Sequence, residues 1–250
     1  MMKTLKVLSA LLTYPTPELA AAAGELRHAV TAEGLLRGPV RDGVLALIDD
    51  LACRDIYEAQ ERFILLFDRT RSLSLHLFEH VHGESRDRGQ AMVDLIKVYE
   101  DKGYTPTTSE LPDFLPLFLE FASTEEPKAA LELIAQPGHV FAALQERLRR
   151  RSSPYAALFE ALVVLGKAKI DPAALAALRA EPDPEPDDLE ALDRAWAEEE
   201  VTFGPGAQSD CGVDSLTAKI RQGRRPAPGL DAPRDGRPRV AITTPSTPRA

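Results

Sequence analysis

Sulfur, β-branched aliphatic side chains and net positive charge are all scarce in this 250-residue chain. Its two cysteines, Cys53 and Cys211, stand 158 positions apart with no C-x-x-C spacing. That excludes a Cys-rich zinc or iron–sulfur site and a disulfide scaffold, and it fits a reducing compartment. Valine and isoleucine number 13 and 8, against 35 alanines and 34 leucines. Such a surplus of helix formers is hard to reconcile with a large sheet. Lysine and arginine total 30 against 39 acids, a formal charge of −9. The basic footprint of a nucleic-acid binder is therefore missing. No apolar run approaches the ~20 residues a bilayer requires. The stretch Leu5–Leu12 is short and interrupted by Lys6 and Ser9. The expectation is a cytoplasmic chain without membrane insertion. Common enzyme signatures are absent as well: there is no G-x-G-x-x-G, Walker-type loop, G-x-S-x-G or H-E-x-x-H.

The charge that is present is unevenly placed. Residues 219–250 hold eight basic and two acidic residues, so residues 1–218 carry −15. The same tail has six prolines, three glycines and no aromatic residue. It has too little apolar surface to offset its ordering entropy and reads as disordered. Residues 181–200 hold ten acids and one base, with Leu189, Leu192 and Trp196 at the spacing of a last helix. The expected organisation is a helical domain over 1–203 and a Pro/Gly/Arg-rich tail over 204–250.

Within the domain, helix starts are explicit. Thr16-Pro17, Ser153-Pro154 and Asp171-Pro172 each set a capping side chain before a proline suited to a first turn. Asp55 with Glu58 resembles a capping box before an apolar run ending near Phe67. Met92, Leu95, Ile96 and Tyr99 share one helical face, which Gly103 and Pro106 terminate. Phe114, Phe118 and Phe121 repeat the pattern after Ser109. There Pro112 suits the first turn and Pro116 is expected to kink the helix or hold it open. The predicted fold is all-α, one compact domain of roughly eight to ten helices.

The most informative stretch is residues 68–92, which hold three of the five histidines. A helix over about 72–82 would place Leu73, Leu77 and Val81 on one stripe and His76 and His80 on a neighbouring face. Gly83 would end it, and Ser85 would cap the next helix. Three readings are open. Glu25-x-x-His28 and Glu79-x-x-His82 have the spacing of di-iron bundle ligands, which would make the chain a di-iron oxidoreductase. Alternatively, the turn is an ordinary solvated, charge-paired connection. In the third reading, it belongs to a surface that binds another protein.

The segments RSLSLHL at 71–77, FEHVHGESRDRGQAM at 78–92 and ELPDFLPLFLEF at 110–121 resemble the molybdenum-cofactor assembly chaperones of nitrate reductase. These are the so-called delta subunits, within the chaperones of redox enzymes. The resemblance implies a non-catalytic, all-helical chaperone. It would bind the apo catalytic (alpha) subunit of respiratory nitrate reductase through an N-terminal peptide. It would support molybdenum cofactor insertion before membrane docking and take no part in the finished enzyme. No cofactor would be held stably, the molybdenum cofactor being delivered to the partner, with cofactor-synthesis proteins as further partners. Sister branches often carry E-P-x-D-H where this chain has Glu110-Leu111-Pro112-Asp113-Phe114. Phe114 in place of histidine argues against a nucleotide or hinge role for that motif.

A helical peptide laid in a groove needs an apolar floor and a charged rim. Leu75, Phe78, Met92, Leu95, Phe114, Leu117 and Phe118 are the candidate floor. Glu79, His80, His82, Glu84, Arg86, Asp87, Arg88, Asp113 and Glu120 are the candidate polar rim. Each apolar residue also has an ordinary reading as core, and each charge as a solvated face. The −15 body would favour a basic peptide.

Overall fold

A computed structural model describes residues 1–83, 87–106, 110–167, 170–184, 188, 190 and 240–242. They form twelve α-helices, one 3₁₀ turn and two three-residue strands. The all-α class stands, and the described residues hold more helices than the expected eight to ten. Two compact units emerge, Met1–Asp187 with Arg239–Ala250, and Asp188–Pro238. Of the second, only Asp188 and Glu190 are described. The expected helix around Leu189, Leu192 and Trp196 lies outside the described residues, as does the tail apart from Val240–Ile242. Those three residues form a strand rather than irregular chain.

The first unit is built around α11 (Ala156–Gly166), whose Leu158, Phe159, Ala161, Leu162 and Leu165 are buried. A helix apolar on most of its faces belongs in the middle of a bundle. It packs against α4 (Gly38–Cys53), α9 (Pro127–Ala135) and α10 (Gly138–Arg150). Small residues set two of these approaches. A Cβ on Gly43 would come within 3.0 Å of the Ala157 Cβ, and one on Gly166 within 3.2 Å of the Ala135 backbone.

A second pairing joins α1 (Lys3–Leu11) to α8 (Leu115–Thr124). The Met2 amide donates to the Ser123 carbonyl at 2.6 Å, and buried Ser9 donates its hydroxyl to the Pro116 carbonyl at 2.7 Å. Pro116, not Pro112, therefore occupies the first turn of α8, with Phe114 as its N-cap. At that position the missing N–H breaks no helical bond, so Pro116 starts the helix instead of kinking it.

The remaining caps follow the sequence closely. Thr16 accepts from the Leu19 amide before α2 (Pro17–Ala21), and Asp171 accepts from the Ala173 amide before α12 (Pro172–Ala180). Asp55 accepts from the Tyr57 and Glu58 amides and opens α5 (Ile56–Phe67). Ser153-Pro154 forms a turn first, and α11 begins at Ala156. α3 (Ala23–Glu33) completes the N-terminal layer and α7 (Asp87–Asp101) ends before Gly103, whose φ is +84°.

The clearest departure lies at 72–82. Arg71–Leu73 is a 3₁₀ turn, residues 74–76 are not helical, and α6 spans only Leu77–His82. Tertiary pairing overrides the helical period here. Leu115 donates its amide to the Leu75 carbonyl at 2.8 Å, and Leu77 donates to the Asp113 carbonyl at 3.1 Å. His76 and Phe114 thereby face each other across an isolated antiparallel bridge. Val81, expected on the apolar stripe, is exposed.

Candidate functional site

Leu75 and His76, before α6, and Glu110 and Phe114, on either side of the turn that the Phe114 amide closes on the Leu111 carbonyl at 3.0 Å, form one wall of a cleft of about 330 Å³. The opposite wall is α5, which contributes Phe63, Ile64, Phe67 and, at its C-cap, Asp68. Thr13 and Tyr14, just beyond α1, close one end, and Leu75, His76, Glu110 and Phe114 complete the lining. Aromatic rings make the floor. Tyr14 meets Phe63 edge-on at 5.9 Å, Phe63 lies 4.9 Å from Phe67, and the His76 ring is 5.4 Å from Phe114. Ile64 is 39% exposed, so this apolar lining reaches the surface.

The polar part of the cleft is negatively biased. Burial and the neighbouring charge of Glu110 push the Asp68 carboxyl above its usual range, with His76 opposing. Behind the wall, Asp113 is 0% exposed. It accepts from the Phe78 amide at 3.0 Å, and His76 Nδ1 lies 3.4 Å away. Burial works to raise Asp113, but the His76 and Phe78 hydrogen bonds and the His76 and Arg88 charges outweigh it and hold the carboxyl low. Burial works to lower His76, and Asp113, Glu79 and Glu110 together hold it high. Tyr99 braces the same connection by donating its hydroxyl to the Pro112 carbonyl at 2.8 Å.

Only Leu75 and Phe114 of the expected floor line this cleft. Leu117 is fully buried with Tyr99 and Phe121 in a small second core cluster, and Phe118 is buried in the main core. Phe78, Met92 and Leu95 are half-buried, Phe78 and Leu95 against the main core. Among the expected rim residues, Asp113 and His80 are buried and present no charge to the surface in this conformation. His80 donates from Nε2 to the Ser74 carbonyl at 2.8 Å, and burial together with nearby Arg147 keeps its imidazole low. Glu79 pairs with Arg88 at 3.0 Å, tying α6 to α7. Glu120 pairs with Lys6 at 3.6 Å, tying α8 to α1. His82 is half-buried against Phe78, and Asp87 is exposed. Glu84, Arg86 and Ser85 lie outside the described residues. Among the described residues, no three His, Cys, Asp or Glu side chains come together in a way that could hold a metal ion. The two Glu-x-x-His pairs therefore do not build a shared di-iron site.

The sequence pattern did not mark Tyr14, Phe63, Ile64, Phe67 or Asp68 as cleft residues. The available signal was the Phe63–Phe67 pair one turn apart, next to the exposed position of Ile64 and the helix-ending Asp68.

Residues 17–161 match the family described as nitrate reductase delta subunit. The chain is 40% identical over 218 residues to the nitrate reductase molybdenum cofactor assembly chaperone NarJ of Escherichia coli, covering 87% of this chain and 91% of that protein. It is 38% identical over 167 residues to the probable assembly chaperone NarW of the same organism, covering 67% and 72%. A probable NarJ of Bacillus subtilis is 31% identical over 160 residues, covering 64% and 86%.

Proposed function

The chain belongs to the nitrate reductase delta subunit family, and from that membership we propose how it works as a maturation chaperone of nitrate reductase. Its relatives are named as assembly chaperones rather than catalysts, and the chain is not an enzyme. The partner is a nitrate reductase catalytic subunit. In our reading, that subunit is held in its apo form through an N-terminal peptide until the molybdenum cofactor has been inserted. Membrane docking follows release. The cofactor is cargo for the partner and is not stored on the chaperone, cofactor-synthesis proteins are transient partners, and the setting is the cytoplasm.

One observation carries the peptide-binding part: an aromatic-floored cleft opens to solvent beside Asp68 and Glu110. A helical peptide could set a large apolar side chain between Ile64 and Phe114. A lysine or arginine one turn away would then approach the carboxylate of Asp68, which burial first and the Glu110 charge second push up, and favour its charged form. Of the other floor and rim candidates, Phe78, His82 and Asp87 are the margin over which such a peptide would extend.

Co-purification tests the cellular reading. Tagged chain drawn from nitrate-respiring cells should bring down a nitrate reductase catalytic subunit lacking its molybdenum cofactor. Recovery of only the cofactor-loaded subunit would contradict a role before insertion.

A further inference from the structure

The strand β1 (Tyr104–Pro106), just after α7, is paired with a segment from the far end of the chain. It runs parallel to β2 (Val240–Ile242), with Tyr104 opposite Val240, Thr105 opposite Ala241 and Pro106 opposite Ile242. Parallel strands cannot be joined by a tight turn, and residues 107–239 supply the long crossover they need. The tail sequence marks the same place independently. Between Pro238 and Pro245 runs Val240-Ala241-Ile242-Thr243-Thr244, in which four of five residues are β-branched. Elsewhere in 219–250 such residues stand singly, as Ile220 and Thr247. β-branching favours extended chain, and two prolines delimit the run.

The location gives the pairing a consequence. Tyr104 meets Phe121 edge-on at 5.6 Å, and Phe121 lies 4.6 Å from Tyr99 in the small second cluster. β2 packs against α8 as well as β1. Phe114 packs at the margin of this cluster and also lines the cleft. The connection that begins with β1 thus ends on the cleft wall. An unpaired strand edge at its start would leave backbone groups open to pairing with any extended chain. Charge favours a cis partner, because the +6 tail is tied to a −15 body.

We propose that the Val240–Ile242 segment is a strap: it docks as a strand on the Tyr104–Pro106 edge of its own chain. It closes that edge and restrains the connection that brings Glu110 and Phe114 to the cleft. The strap concerns the chain alone and stands whether or not a peptide occupies the cleft.

Hydrogen exchange on the full chain tests it, beside Ile242→Pro, which removes the β2 amide that faces Thr105, and a truncation after Pro238, with helicity measured to show that both variants fold. Pro106 has no N–H, so in this register Thr105 is the residue that presents its amide to β2. In the full chain that amide should exchange at least about tenfold more slowly than in either variant. That protection should hold when the protein is diluted a hundredfold. Equal exchange in the full chain and the truncation would overturn the proposal. Protection that disappears on dilution would also overturn it, by assigning the strand to a second copy of the chain.

Discussion

His76 Nδ1 lies 3.4 Å from Oδ1 of Asp113, whose carboxylate is fully buried and also accepts the Phe78 amide. These two residues sit where the segment before α6 meets the segment before α8, so this pair, ionic when His76 is protonated, adds to the backbone bonds that fasten the two segments beside the cleft. Arg88, Glu79 and Glu110 add the surrounding charges, and Asp68 faces His76 from α5.

Stability should depend on pH through this pair. The His76 imidazole is held above its ordinary value of 6.5, so its contribution is complete below that pH and is lost as pH rises through the higher folded value. Asp113 is held below 3.8, so its contribution is present above that pH and lost as pH falls through the lower folded value. His80 acts in the opposite sense to His76, because its imidazole is held low and must become neutral for folding. His76→Gln should therefore lose less stability than the natural chain between pH 6 and pH 8, compared by urea midpoints. An identical loss in both proteins would assign the pH dependence elsewhere.

Removing the carboxylate should be costly. Asp113→Ala leaves the buried Phe78 amide without its acceptor and His76 without its counter-charge, at a cost of about 2–4 kcal/mol. Asp113→Asn keeps an acceptor in place and should cost less. Denaturant unfolding of the two variants decides, and equal costs would mean that the hydrogen bonds at this joint contribute little.

Arg147 holds the other side of the same wall. Its side chain is 2% exposed and donates to the Ser72 carbonyl at 2.6 Å, with a second donation to the Leu178 carbonyl at the end of α12. Arg147→Met removes both donors and should lower stability by about 3 kcal/mol. The loss should appear first as faster hydrogen exchange in residues 71–76. Uniform acceleration across the whole chain would deny Arg147 a local role.

The close helix approaches give a further check. Gly166→Ala sets a Cβ at 3.2 Å from the Ala135 backbone, which cannot yield as a flexible side chain would. A cost of about 1–3 kcal/mol is expected, read as a lower urea midpoint. Gly24, with nothing within 4 Å of its added Cβ, serves as the control: Gly24→Ala should be neutral or stabilising.

Much of this architecture was legible in the sequence because it rests on local rules. The caps at Thr16, Asp55 and Asp171 and the stop at Gly103 depend on a few neighbouring residues, and each was found where the pattern placed it. The site was less legible, because it depends on pairing across the chain. The helical spacing of Leu73, Leu77 and Val81 is real, but Leu75 and Leu77 gain backbone partners in Leu115 and Asp113, and local periodicity carries no trace of that pairing. Burial of Asp113 had the same origin: a lone acid next to a proline reads as surface until a histidine and an amide 35 or more positions earlier are brought to it. The strand at 240–242 was marked only by its β-branched run within a polar tail.

Direct titration of the cleft is the sharpest test of the central claim. The N-terminal peptide of the nitrate reductase catalytic subunit should saturate the full chain below about 50 μM, roughly −6 kcal/mol. Ile64→Ser, at an exposed position of the lining, should weaken binding by about tenfold without changing the fold. Glu110→Gln should weaken it less and reduce its sensitivity to salt. Saturable binding with the same affinity in all three proteins would place the peptide elsewhere, and no saturation at that concentration by the natural chain would contradict peptide capture altogether.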